Sequence, residues 1–167
     1  MPLKDGIGIE MLHCDRFQIQ TMVEQAQQAY PQECCGLLLG QKRGDDRYCR
    51  KIWPTANAWA PDIAQDFRLE LAAESLYHSQ ADRYWIDPQD LLTAQKWGRE
   101  HGQIILGIYH SHPNHPAIPS ERDRHWAWSS YAYLILSIQQ DQLLDYRCWQ
   151  LNEIGQFEPE GLLVPAL

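Results

Sequence analysis

Apolar positions recur along this chain with two periods, one helical and one alternating. From Asp15 to Tyr30, the residues Phe17, Ile19, Met22, Val23 and Ala26 follow the helical repeat, Asp15 stands where a cap belongs, and Pro31 stops the segment. This predicts an amphipathic helix with Phe17 and Met22 in the core. Cys34 to Leu39 is a short apolar run closed by Gly40. The polar stretch Gln41 to Asp46 contains Gly44, and Arg47 to Trp53 returns, so a β-hairpin is expected. Pro54 to Asp62, which includes Asn57, reads as a loop. Asp66 to Glu70 has the pattern of a strand, and Ala72 to Ala81 that of a helix anchored by Leu76 and Tyr77. Asp87-Pro88-Gln89-Asp90 starts a further helix running to about His101. Leu91, Leu92, Ala94, Gln95, Trp97 and Gly98 mark its buried side, and Gly102 ends it. Ile104 to Tyr109 is a β-branched strand that leads into His110-Ser111-His112. A short helix then carries Arg124, His125, Trp126 and Trp128. Tyr131 to Ile138 and Leu143 to Leu151 are strands, a turn falls at Asn152 to Gly155, and Phe157 to Val164 closes the chain. Helices interleaved with hairpins predict an α/β fold with a mixed, mainly antiparallel sheet flanked by helices.

Composition narrows the function classes. The 167 residues suit one domain, 1–167, with a fair-sized core. A net charge of −8 argues against a nucleic-acid partner, because binding a phosphate backbone needs basic patches. No apolar run reaches membrane-spanning length, and the first ten residues, MPLKDGIGIE, hold no signal-peptide core, so no membrane partner is expected. The five cysteines, at 14, 34, 35, 49 and 148, form no C-x-x-C pair. They indicate neither a disulfide framework nor a cysteine zinc site, and the simplest setting is reduced and cytoplasmic.

The chemistry concentrates between Gly107 and Asp123, in the stretch GIYHSHPNHPAIPSERD. Side chains two apart on a strand share a face, so His110 and His112 can present two imidazoles to one point. Asp123 follows after ten intervening residues, and Pro113, Pro116 and Pro119 stiffen its return path. Two imidazoles and a carboxylate suit zinc, and three protein ligands leave a fourth position open, which is the arrangement of a catalytic site. The same residues allow a plainer account. A lone H-x-H is common, and Ser120-Glu121-Arg122-Asp123 fits a helix N-cap with an acidic first turn. His115 and His125 read as surface or supporting groups rather than ligands.

HSHP, a spacer and then S-x-x-D resemble the signature of the JAMM metalloproteases, also called the MPN-plus or JAB family. The likeness covers most of the chain. It implies an α/β/α core with cytidine-deaminase-like layering, and one zinc per chain held by His110, His112 and Asp123. It implies an upstream glutamate at the start of a strand after the first helix, a place that Glu33 in Pro31-Gln32-Glu33-Cys34-Cys35-Gly36 fills. On the residues alone Glu33 could be an exposed charge at a strand end. In the family it is the general base beside the metal, where water has its pKa lowered towards ~7 and a carboxylate can take its proton and pass it to the leaving amine. Ser120 takes the role of oxyanion donor by the same resemblance. Trp85-Ile86-Asp87-Pro88 resembles the strand that precedes the second helix of family members. The stretch from Ile63 to Tyr84 before it is then longer than a minimal core needs, either a substrate-holding insertion or a solvent-facing elaboration. The family implies a zinc metallopeptidase or isopeptidase, cutting near the C-terminal tail of a ubiquitin-like or sulfur-carrier protein. The alternative is a non-catalytic MPN-type interaction module, the role of relatives that have lost the ligands. A zinc deaminase would need H-x-E and P-C-x-x-C, and the sequence has neither.

Overall fold

A computed structural model describes residues 10–66 and 77–166. Its elements, in chain order, are β1 (Met11–His13), α1 (Arg16–Ala29), β2 (Cys35–Arg43), β3 (Asp46–Thr55), α2 (Pro61–Asp66), α3 (Pro88–Glu100), β4 (Ile104–Pro113), α4 (Glu121–Trp126), β5 (Ala132–Gln139), β6 (Gln142–Leu151) and β7 (Phe157–Leu163). Strand order is β1-β3-β2-β4-β5-β6-β7, and β1 also pairs with β7, so the sheet closes on itself. The hairpins are antiparallel, as are β2–β4 and β6–β7. The pairings β1–β3, β1–β7 and β4–β5 are parallel. The mixed, mainly antiparallel α/β sheet expected from the pattern is present. Its closure into a barrel-like ring is not legible in the pattern, because β1 is a strand of three residues.

Alternation along β2 shows how two helices share one sheet. Leu38 packs with Met22, Val23 and Ala26 of α1, and Leu37 and Leu39 pack with Ala94 of α3 on the opposite face. The helix signals behave as expected. Asp15 caps α1 in a reciprocal capping box with Gln18, and Asp87 caps α3 with Pro88 at the first turn.

Several expected side-chain positions are corrected. Phe17 is 76% exposed rather than core. The buried stripe of α1 is Ile19, Met22, Val23 and Ala26, and Phe17, two residues before its start, points about 200° away from it. In α3 the buried residues are Ala94 and Gly98; Gln95 sits about 100° and Leu92 about 160° round the helix from Ala94, and both are exposed. Asp66 ends a helix instead of opening a strand. Residues 67–76, which carry most of that expected strand and half of the helix after it, lie outside the described residues, and residues 77–81, the other half of the expected helix, form turns rather than a helix. Tyr77 is 86% exposed and anchors nothing. Trp85 and Ile86 belong to no strand, and Pro54 lies within β3 rather than in a loop.

Candidate metal centre

His110 and His112 occupy the C-terminal end of β4 and point to one face, as the period of two requires. The strand end is held on both sides. Ser111, between the two histidines, accepts the Cys34 N–H on its Oγ at 2.8 Å and gives its own N–H to the Cys34 carbonyl at 3.1 Å. On the other side β5 runs parallel, with His110 opposite Ile135 and His112 opposite Ser137. The chain then reverses through Asn114, a residue in the left-handed region at φ 61°, which Asn tolerates better than most. The return path is pinned by the Trp149 indole N–H to the Ala117 carbonyl and by the Ser137 hydroxyl to the His115 carbonyl.

Asp123 comes back on the first turn of α4. Ser120 is the N-cap of that helix: its Oγ accepts the Asp123 N–H at 3.1 Å, and Asp123 Oδ2 accepts the Ser120 N–H at 2.8 Å. The cap and the placement of the carboxylate beside the histidines therefore coexist, because the capping box is what aims the carboxylate. His110 Nε2 lies 3.0 Å from His112 Nε2 and 3.3 Å from Asp123 Oδ1, and His112 Nε2 lies 3.2 Å from Asp123 Oδ2. Tetrahedral zinc with ligands at about 2.0–2.1 Å has neighbouring donors about 3.3 Å apart, and these spacings, which end on the two different oxygens of Asp123, are close to that. His115 and His125 are exposed and do not belong to the group.

The protonation states suit a cation. Burial holds His110 below its ordinary pKa, so its imidazole is neutral, although Asp123 pulls the other way. Burial would raise Asp123, but the two imidazoles more than offset it and keep the carboxyl ionised. His112 Nδ1 sits 2.8 Å from the Pro116 carbonyl, which fixes the proton there and turns the Nε2 lone pair inward. His110 Nδ1 is buried with no hydrogen-bond partner among the described residues. Its ring is held instead by stacking on Tyr84, with centroids 4.5 Å apart.

Glu33 lies just before β2 and is buried. Burial raises its pKa well above the usual range, reinforced by Asp123 and Asp82 and opposed by Arg83 and Arg122. Glu33, Ser120 and Asp123 line one cleft of about 370 Å³. Tyr84, Trp126, Trp128 and Tyr131 form its aromatic wall, and Arg83 and Arg122 its cationic edge. Asp82, Arg83 and Tyr84, at the end of the long segment before α3, thus flank the cleft. The sequence pattern does not single out Tyr84, Asn57 or Gln80. For Tyr84 the available signal is its place in an aromatic pair, Tyr84-Trp85, just ahead of the Asp-Pro cap.

Residues 18–152 match the family described as prokaryotic homologs of the JAB domain. The chain belongs to this family. It is 31% identical over 109 residues to a desampylase from Haloferax volcanii, a match covering 64% of this chain and 63% of that protein. Over 49 residues it is 45% identical to a probable TtuB-protein conjugate cleaving protease from Thermus thermophilus, covering 29% of this chain and 33% of the relative. The chain thus spans less than two thirds of either curated relative. A protein from Desulfitobacterium hafniense of known solution structure is 28% identical, with a TM-score of 0.72 over 94% of both chains.

Proposed function

We propose that this chain is a zinc-dependent peptidase or isopeptidase that hydrolyses a bond at the C-terminal tail of a ubiquitin-like or sulfur-carrier protein. The observation that carries this reading is the convergence of His110 Nε2, His112 Nε2 and the Asp123 carboxylate, 3.0 to 3.3 Å apart, with Asp123 lining a cleft that also holds the buried Glu33. The names of the relatives, a desampylase and a TtuB-conjugate cleaving protease, support the substrate class.

The donor set fits the family's metal: two imidazoles and one carboxylate, pre-aimed by β4 and by the α4 cap. When bound, zinc supplies Lewis acidity to the site. The chain's own residues do the rest. Glu33 takes the proton of the attacking water and returns it to the leaving amine, a task for which a raised carboxyl pKa is suited. The Ser120 oxygen accepts one helix N–H and keeps its own proton to donate to the developing oxyanion. The aromatic wall takes the extended tail and keeps bulk water out.

The test uses protein purified without added metal. Elemental analysis should return one zinc per chain. Intact mass should show loss of a C-terminal extension from a ubiquitin-like or sulfur-carrier fusion, and a chelator should stop it. Zinc-loaded protein that binds such partners without cutting any of them would establish the interaction module instead.

A further inference from the structure

Asn57 lies in the loop after β3, and all four of its side-chain hydrogen-bonding positions are used. Its Nδ2 donates to the Glu33 carbonyl at 3.1 Å and to the Arg83 carbonyl at 2.9 Å. Its Oδ1 accepts the Trp59 N–H at 3.1 Å and the Trp85 N–H at 3.2 Å. A primary amide offers two donors and two acceptor sites, so this one is saturated. Gln80 completes the arrangement from the other side. Its backbone carbonyl accepts the Glu33 N–H at 2.7 Å, and its side-chain Nε2 donates to the backbone carbonyls of Asn57 and Trp59 at 3.0 and 3.1 Å.

Glu33 stands between the end of α1 and the start of β2, outside both elements, so no sheet ladder fixes its backbone. Its N–H and C=O are both taken by this clamp. The same clamp grips residues 83 and 85 on either side of Tyr84, whose ring stacks on His110. One amide thus joins the backbone of Glu33 to the strap that supports a metal-ligand histidine.

We propose that Asn57 is a positioning residue that sets the placement of the Glu33 carboxylate relative to the His110–His112–Asp123 group. The proposal rests on Glu33 being the general base. Asn57→Asp is the discriminating variant: it keeps the size and both acceptor positions and removes both donors, leaving the Glu33 and Arg83 carbonyls facing an oxygen.

Three measurements on the zinc-loaded full chain test it. In Asn57→Asp, kcat should fall about 10–100-fold, the range found for groups that orient a metal site from outside it, with KM changed less than about twofold and zinc still stoichiometric. On a Glu33→Gln background, the same change should lower the residual rate no further, because groups acting as one unit are not additive. Repulsion between the new oxygen and the Glu33 and Arg83 carbonyls should loosen the clamp, so amide hydrogen exchange should quicken at Glu33 and stay slow at Leu37 to Leu39. Gln80→Met leaves the backbone bond to the Glu33 N–H but removes the two Nε2 bonds that hold the Asn57 loop, and should lower kcat in the same Glu33-dependent way. It serves as the test if Asn57→Asp fails to fold. Unchanged kcat in a folded Asn57→Asp, or an equal loss with and without Glu33, overturns the proposal. If the wild type cleaves no ubiquitin-like fusion, the proposed function fails, and the exchange comparison still decides whether Asn57 holds Glu33.

Discussion

At the scale of single residues, two side chains separate chemistry from architecture. Glu33 is not among the three residues whose donor atoms converge. Glu33→Gln should therefore keep one zinc per chain and lose hydrolysis by about 10²–10⁴-fold, as when a general acid–base group is removed. Metal analysis and rate on the same sample check it. Loss of zinc would make Glu33 a ligand, and retained rate would remove it from the reaction. Ser120 serves the helix visibly and the reaction by proposal. Ser120→Ala removes both the cap acceptor and the donor, and should cost about 1 kcal/mol of stability. Ser120→Asp keeps an acceptor and supplies no donor at neutral pH. Both variants should lose about 10²–10³ in kcat if the hydroxyl donates to the oxyanion. A folded, fully active Ser120→Asp with unaltered zinc geometry would leave Ser120 as a cap alone.

At the scale of elements, the site depends on how closely β4 and β5 approach. Gly107 lies three residues before His110 and pairs with Ala132. A Cβ there would run into the Ala132 carbonyl, a backbone group that cannot swing aside. Gly107→Ala should therefore cost about 1–3 kcal/mol by overpacking, read from denaturant unfolding. It should also weaken zinc binding, because the strand that must shift is the one carrying both histidines. Stability lost with zinc affinity unchanged would show that the strain is absorbed in β5. The helix α4 makes the complementary point. It has six residues, none of them fully buried, and its place is set by the capping box, by the pinned loop before it and by Trp126, which packs against the buried Trp59.

At the scale of the whole molecule, the ring closes where β1 joins β3 to β7, and a buried charge cluster lies across that seam. Arg47 of β3 is 1% exposed and pairs with Glu160 of β7 and with Glu10, just before β1. Removing one partner of a buried pair strands the other, so Arg47→Met should cost roughly 3–5 kcal/mol, and adding Glu160→Leu should recover much of it. The pH dependence carries a definite sign. Burial raises the Glu160 pKa in the folded protein, and Arg47 opposes that rise. A carboxyl raised on folding loses stability as pH climbs from its unfolded value of about 4.3 through its folded one. Without Arg47 the folded value moves higher, so the deficit of Arg47→Met should be larger at about pH 7 than at about pH 5. An equal deficit at both would mean that Glu160 is not the group left stranded.

The parts of this protein that the sequence alone determines are those governed by local periods. The two histidines share a face because a strand repeats every two residues. The S-x-x-D segment both caps a helix and aims a carboxylate because one turn brings the two residues together. α1 and α3 begin where Asp15 and Asp87 supply an acceptor for unpaired N–H groups. What the tertiary structure decided has no period to read. β1 is three residues long and takes its identity from two distant neighbours, so barrel closure was invisible. Phe17 fits the apolar count of α1, but which arc of the helix meets the sheet is fixed by the partner and not by the count. Asn57 lies in a loop-like stretch, Gln80 in one that reads as a helix and Tyr84 just beyond it, and none of the three stands out. They matter because backbone groups of Glu33, Arg83 and Trp85, and the ring of His110, arrive beside them only when the sheet has formed. Hydrogen bonds and ring contacts of that kind depend on positions in space, which local propensity does not encode.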